Sequence, residues 1–169
     1  MLSTDPPIIY SIGHSDHELD AFIALLRSHG ITTLVDVRSQ PYSRWVSQFN
    51  RETLARALQE AGLTYVFMGD SLGGRPSDPS LYDSGQSDGR PDYERVAATV
   101  DFQAGVERLL ELAHDGSTAM MCSEGDHRRC HRSLLITPSL LERGARVIHV
   151  RPDGETVEAQ PKPKQLSLF

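Results

Sequence analysis

The chain has 169 residues, 38% of them hydrophobic and 24% charged, with a formal net charge of −6. That length and apolar content suit one domain with a true core, and no apolar run approaches the ~20 residues a membrane-spanning helix needs. The acidic balance argues against a protein that grips nucleic acid by charge alone, because neutralising phosphates drives non-specific binding. The opening MLSTDPPIIYSIGHS lacks the basic start and apolar stretch of a secretory signal, so a cytoplasmic location is expected. In a reducing compartment the two cysteines, Cys122 and Cys130, suggest a local site and not a disulfide framework.

In chain order, residues 8–12 are short, apolar and β-branched and read as a first strand. Ser15 and Glu18 form a capping box ahead of Leu19, Phe22, Ile23 and Leu26, so a helix is expected from Ser15 to Gly30. Residues 33–37 read as a second strand. Asn50 is expected to cap a helix that Gly62 stops, and residues 64–68 make a third strand. Residues 69–92 collect Gly, Pro, Ser and Asp, the composition of a long functional loop. A helix follows from about Tyr93 to His114 with a break near Asp101, then a fourth strand at 118–122. Another helix spans 130–143, where Pro138 forces a kink or restart. Residues 147–150 are a fifth strand and Pro152-Asp153-Gly154 a turn. Strands alternating with helices predict an α/β fold, a mainly parallel sheet of about five strands with helices on both faces. Residues 1–152 would form the domain, and residues 153–169 an extended tail.

Ligands of parallel sheets bind beyond the carboxyl ends of the strands. Those ends carry Gly13-His14-Ser15, Asp36-Val37-Arg38, Asp70 with Gly73, Gly74 and Arg75, and Cys122-Ser123-Glu124 leading to Cys130-His131-Arg132. Each alone has an ordinary structural reading as cap, turn partner or turn. As a set, so many charges at one edge are costly unless paired or used. The segments GHS, LVDVRS, LGG and CSE…CHR, in this order, resemble the bacterial family known as "domain of unknown function 488" over roughly residues 9–150. The resemblance implies an α/β fold and a shared polar site that includes His14, Asp36, Arg38, Cys122, Glu124, Cys130, His131 and Arg132. It implies no settled reaction.

Three readings of the cysteine loop stay open. Residues 122–128 have the C-x-x-G-x-x-R spacing with which thiol phosphatases cradle phosphate, and a rhodanese-like sulfurtransferase would use a similar loop; Glu124 and Asp126 weigh against both. Cys122, Cys130 and His131 are candidate ligands for zinc, and Asp36 and Glu124 are candidates to orient the site or bind magnesium or another divalent ion. The third reading is structural, with buried thiols and an ion-pair network joining His131 and Arg132 to Asp36 or Glu124. Arg38, Arg44 and Arg132 suit a phosphate-bearing group, and Tyr42 and Trp45 offer faces on which bases stack. His14 and His131 are acid/base candidates, and Cys122 a candidate nucleophile.

The last five residues, Gln165-Leu166-Ser167-Leu168-Phe169, look like the QLSLF-type peptide by which bacterial DNA polymerases and repair proteins bind the replicative sliding clamp. Leu166, Leu168 and Phe169 are an apolar cluster on a Pro/Lys linker, exposed unless a partner or this domain buries it. A tether of this kind raises the local concentration of an acidic domain near DNA. The expectation is therefore an enzyme of DNA maintenance, of hydrolase or transferase type, that acts on a phosphate-bearing nucleotide or nucleic acid. The alternatives are a non-catalytic clamp-linked adaptor and a thiol enzyme unrelated to DNA.

Overall fold

The structure, a computed structural model, describes residues 4–83 and 88–161. In chain order the elements are β1 (Ile8–Gly13), α1 (Leu19–Ser28), β2 (Thr33–Asp36), α2 (Arg51–Glu60), β3 (Thr64–Phe67), α3 (Gly69–Leu72), α4 (Tyr93–Ala97), α5 (Val100–Asp115), β4 (Thr118–Cys122), α6 (Thr137–Glu142), β5 (Arg146–Val150) and β6 (Thr156–Glu158). The strands form one sheet in the order β3-β2-β4-β1-β5-β6. All pairs are parallel except β5 with β6. The α/β expectation thus holds, with one strand more than the sequence pattern suggests.

The strands sort their side chains to two cores. Ile9, Val35, Met120 and Val147 face a layer that holds Phe102, Val106 and Leu109 of α5 and Leu140 of α6. Ile12, Leu34, Ala119, Met121 and Val150 meet Phe22 and Leu26 of α1 and Leu54 and Leu58 of α2 on the other side. β4 is buried at every position, as a central strand covered on both faces must be. Each such Leu, Ile or Phe contributes roughly 1.5–3 kcal/mol by leaving water.

Several local expectations are corrected. Ser15 does not cap α1: its φ is +49°, and the helix starts four residues later, at Leu19, with Glu18 at its N-cap position and no side-chain cap. The cause is the sheet. The ladder runs past β1, with His14 N–H donating to Cys122 O (2.9 Å) and Ser15 N–H to Ser123 O (3.0 Å), so the chain is held at the β4 end before it can turn helical. Asn50 does precede α2, but its Oδ1 accepts from Ser43 N–H (2.7 Å) and braces the loop instead. Gly30 (φ +69°) and Gly62 (φ +80°) end their helices as expected, in the left-handed conformation that glycine adopts freely. The break in the 93–114 helix falls at Ala98–Thr99, where Thr99 caps α5 by accepting from Phe102 N–H. Pro138 restarts the last helix: a π-turn over Arg132–Ile136 precedes α6, with Thr137 Oγ1 donating to Arg132 O. The first residues of the expected tail are in the sheet, because Thr156–Glu158 pair with β5 as β6.

Candidate functional site

The carboxyl ends of β1, β2 and β4 lie side by side at the centre of the sheet, and the residues that follow them pack too closely for side chains at the glycines. A Cβ on Gly13 would stand 1.7 Å from Glu124 O, and one on Gly74 2.9 Å from the His131 ring. These two glycines are therefore close-approach positions, which the turn reading of the GHS and LGG segments does not capture.

Asp36 and Arg38 form one buried unit. The Asp36 carboxylate accepts from Arg38 Nε (2.9 Å), Arg38 Nη2 (2.8 Å), the Arg38 backbone N–H (3.1 Å) and Tyr65 OH (2.6 Å). Arg38 Nη2 also donates to Phe49 O (2.7 Å). Its Nη1 lies 3.3 Å from His14 Nε2, and the His14 ring stacks on Phe49 at 4.4 Å. His14 Nδ1 is 2.8 Å from Ser15 O, a group that only accepts, so the proton sits on Nδ1 and Nε2 accepts from the guanidinium. Burial and the neighbouring Arg38 charge lower the His14 pKa to about 4. His14 is thus a neutral positioning group whose two nitrogens are both engaged, which corrects its candidacy as a general acid.

Beside this unit sits a thiol pair on a buried cation. Cys122 Sγ and Cys130 Sγ are 2.7 Å apart, and both residues are free cysteines. Arg132 is 0% exposed. Its Nε donates to Cys122 Sγ (2.8 Å), Nη1 to Ser11 Oγ (2.6 Å) and Nη2 to the Glu124 carbonyl (2.6 Å), while its backbone N–H points at Cys130 Sγ (3.5 Å). Among the described residues no carboxylate pairs with it. An uncompensated buried guanidinium costs several kcal/mol, so the charge must be met by its neighbours, and the sulfurs are the groups that can ionise. A negative charge on the pair would meet it. The Cys122 thiol, the His131 ring and the Arg132 charge bring the Cys130 pKa down to about 3 despite burial, and burial pushes Cys122 well up.

Ser11 also starts a hydrogen-bonded chain. Ser11 Oγ lies 2.9 Å from His149 Nδ1, Ser133 Oγ 3.5 Å from His149 Nε2, and His127 Nδ1 3.1 Å from Ser133 Oγ, with the two imidazoles stacked at 3.9 Å. Burial and the nearby positive charges lower both pKa values, His149 to about 3. The neutral rings let Ser11, which accepts from Arg132, donate onward to His149.

His131 completes the thiol site. Its Nε2 lies 2.9 Å from Val37 O and so carries hydrogen, which turns the acceptor Nδ1 to Cys130 Sγ at 3.6 Å. The cavity over this group measures about 350 Å³ and is walled by Arg38, Arg75, Arg129, Tyr93, Glu124 and the two cysteines, among others. Arg75 and Arg129 are exposed and, among the described residues, without a carboxylate partner. Sequence reasoning brought Arg75 to this edge without giving it a role, and missed Arg129, Ser11, Tyr65 and Tyr93. A polar Ser11 inside the apolar β1 was a readable signal; nothing local distinguishes Arg75 or Arg129 from other surface arginines.

The structure separates other candidates from this site. Arg132 cannot hold an external anion, being enclosed and spent on four internal partners. The expected ion pairs from His131 and Arg132 to Asp36 or Glu124 do not form: His131 bonds Val37 O, and Arg132 meets the Glu124 carbonyl, not its carboxylate. The phosphate-cradle spacing also fails, because Arg128 turns outward to Asp126 (3.0 Å) and the Glu124 carbonyl, not an N–H, faces Cys122. No group of three His, Cys, Asp or Glu among the described residues is placed to hold a metal ion, zinc or magnesium. The Cys122, Cys130 and His131 set is not among such groups, and its sulfurs are met by each other and by the Arg132 guanidinium instead. Tyr42 bonds Glu52, and Trp45, 82% exposed under the Arg44 guanidinium, stands on the loop after β2; none of these three lines the cavity. Gln165, Leu166, Leu168 and Phe169 lie outside the described residues. No helix among the described residues is long and apolar enough to cross a membrane.

Fold and site together define a mainly parallel α/β domain with a cysteine pair, held on a buried arginine, at the carboxyl edge of its sheet. The chain matches the family described as "Domain of unknown function DUF488" over residues 18–137, well over half its length, and belongs to that family. No curated protein and no solved structure matches it.

Proposed function

We propose that this protein is a thiol-dependent enzyme of DNA maintenance that acts on a phosphate-bearing nucleotide or nucleic acid and is tethered by its last residues to the replicative sliding clamp. The observation that carries the thiol chemistry is Arg132: a fully buried guanidinium with no carboxylate partner among the described residues donates to Cys122 Sγ, 2.7 Å from Cys130 Sγ, and so favours a negative charge on the pair, seated on Cys130. Cys130, adjacent to His131 and open to the cavity, is the nucleophile. Its sulfur attacks an electrophilic centre of the substrate, and His131 Nδ1 relays a proton between the sulfur and the departing group. Arg75, Arg129 and the exposed rim of Arg38 receive the anionic part of the substrate, while Asp36, Tyr65 and His14 fix Arg38.

The clamp partner rests on the resemblance of QLSLF to clamp-binding peptides and on the linker that precedes it. Co-purification with the clamp should be lost on deleting residues 165–169; unchanged binding would remove the tether, and with it the support for a nucleic-acid substrate. For the site, iodoacetamide at about pH 5 should label Cys130 in the native protein, where an ordinary thiol is silent. Arg75→Ala with Arg129→Ala should weaken binding of a short single-stranded oligonucleotide. No labelling at that pH overturns the thiolate reading. The exposed Trp45 favours the adaptor as a second reading, in which Cys130→Ser leaves the cellular role intact.

A further inference from the structure

Nucleophilic attack by Cys130 leaves Cys122 without a part in the reaction, yet its sulfur is the nearest atom able to react with Cys130. Resting on the thiolate reading above, we infer that Cys130 and Cys122 are a peroxide-reducing pair, Cys130 attacking a hydroperoxide and Cys122 closing an intramolecular disulfide. Three observations converge on it. The sulfurs are 2.7 Å apart, inside ordinary contact distance, so bond formation needs no travel across the loop between them. The anion of the pair is fixed beside Arg132, which donates to Cys122 Sγ, and beside His131 Nδ1. Both cysteines border the cavity and are 2% and 4% exposed, so a small oxidant entering the cavity meets the sulfurs together.

The steps balance. The Cys130 thiolate attacks the terminal oxygen of ROOH; the O–O bond breaks, and the alkoxide leaves, takes a proton and departs as ROH. Arg75 and Arg129, on the cavity wall, stabilise the oxyanion as it forms. Cys130 is now a sulfenic acid. The Cys122 sulfur attacks it, the S–O bond breaks, and the proton of Cys122 leaves with the hydroxyl as water. Two electrons pass from the thiol pair to the peroxide, one disulfide is formed, and a dithiol reductant restores the pair.

The test uses the full-length protein, hydrogen peroxide and mass analysis after alkylation of the remaining thiols. One equivalent of peroxide should be consumed per chain, with loss of two hydrogens and of both alkylatable thiols, all reversed by dithiothreitol. Cys122→Ser should stop at a sulfenic acid that dimedone captures, and Cys130→Ser should consume peroxide no faster than free cysteine. A melting curve of each serine variant checks that it folds. If both thiols stay alkylatable after peroxide while iodoacetamide still labels Cys130 at about pH 5, the redox pair is refuted and the nucleophile stands. If that labelling also fails, both fall.

Discussion

Replacing Arg132 by Met tests the physical argument on which the site rests. The substitution keeps much of the side-chain volume and removes one buried charge and three short donor contacts, to Ser11, Cys122 and the Glu124 carbonyl. Hydrogen bonds from a charged group contribute about 1.5–3 kcal/mol each, and breaking a buried pair by deleting one partner costs about 3–5 kcal/mol. The cysteine pair can relieve part of this by taking up a proton, so the net loss should be near about 3–5 kcal/mol and not the sum of the contacts. Against a total stability of about 5–15 kcal/mol for a domain, the loss is large enough to read from the urea midpoint at unchanged slope. In the same variant the pH dependence of iodoacetamide labelling should move up toward that of an ordinary thiol. Arg132→Lys should fall between the two, because an ammonium restores the charge but not the three-way fork. A loss below about 1 kcal/mol together with an unmoved labelling profile would show that the thiolate and the guanidinium do not support each other.

Other outcomes follow from single contacts. Gly13→Ala places a methyl group 1.7 Å from Glu124 O, a clash only backbone movement can relieve; a lowered melting temperature and loss of low-pH labelling are expected, and a neutral result would mean that the two strand ends are not held together. Tyr65→Phe removes the 2.6 Å donor to Asp36 and should cost about 1–2 kcal/mol in urea unfolding. His14 and His149 have folded pKa values of about 4 and about 3, below the ordinary 6.5. Their neutral forms are therefore favoured by folding: that stabilisation is whole above pH 6.5, falls as the pH drops through the window between 6.5 and those values, and should appear as acid lability that His14→Gln reduces. Trp45→Ala should leave stability within about 0.5 kcal/mol while weakening oligonucleotide binding; stability loss would place the ring in the core after all.

The sequence pattern reads well where local and global preferences agree. β4 at Thr118–Cys122, the glycine stops at Gly30 and Gly62 and the restart at Pro138 follow from patterning and backbone chemistry alone. It misreads Ser15 and Asn50 for one reason: both are strong cap residues held by tertiary partners, the Ser15 backbone N–H by the Ser123 carbonyl just past β4 and the Asn50 side chain by Ser43 N–H. β6 escapes notice because three polar-flanked residues hold no periodicity, and only a neighbouring β5 makes them a strand. At the site, the neighbourhood of Asp36, Arg38, Cys122, Cys130, His131 and Arg132 was legible from strand ends. Their roles were not, because a charge alternates between ligand-holder and buried support according to exposure, and exposure is a property of the packed chain. Arg132 and Arg75 are alike in the sequence and opposite in the fold.

The reversed direction of β6 fixes where the rest of the chain leaves the domain. Every other strand points its carboxyl end at the thiol cavity, whereas β6 runs back, so that Glu158 pairs with Ile148 and Ala159 N–H donates to Val147 O near the start of β5. The chain therefore passes through Gln160 and Pro161 beside Ala145 and Arg146, at the amino end of β5 and away from the sheet edge that carries the thiol cavity.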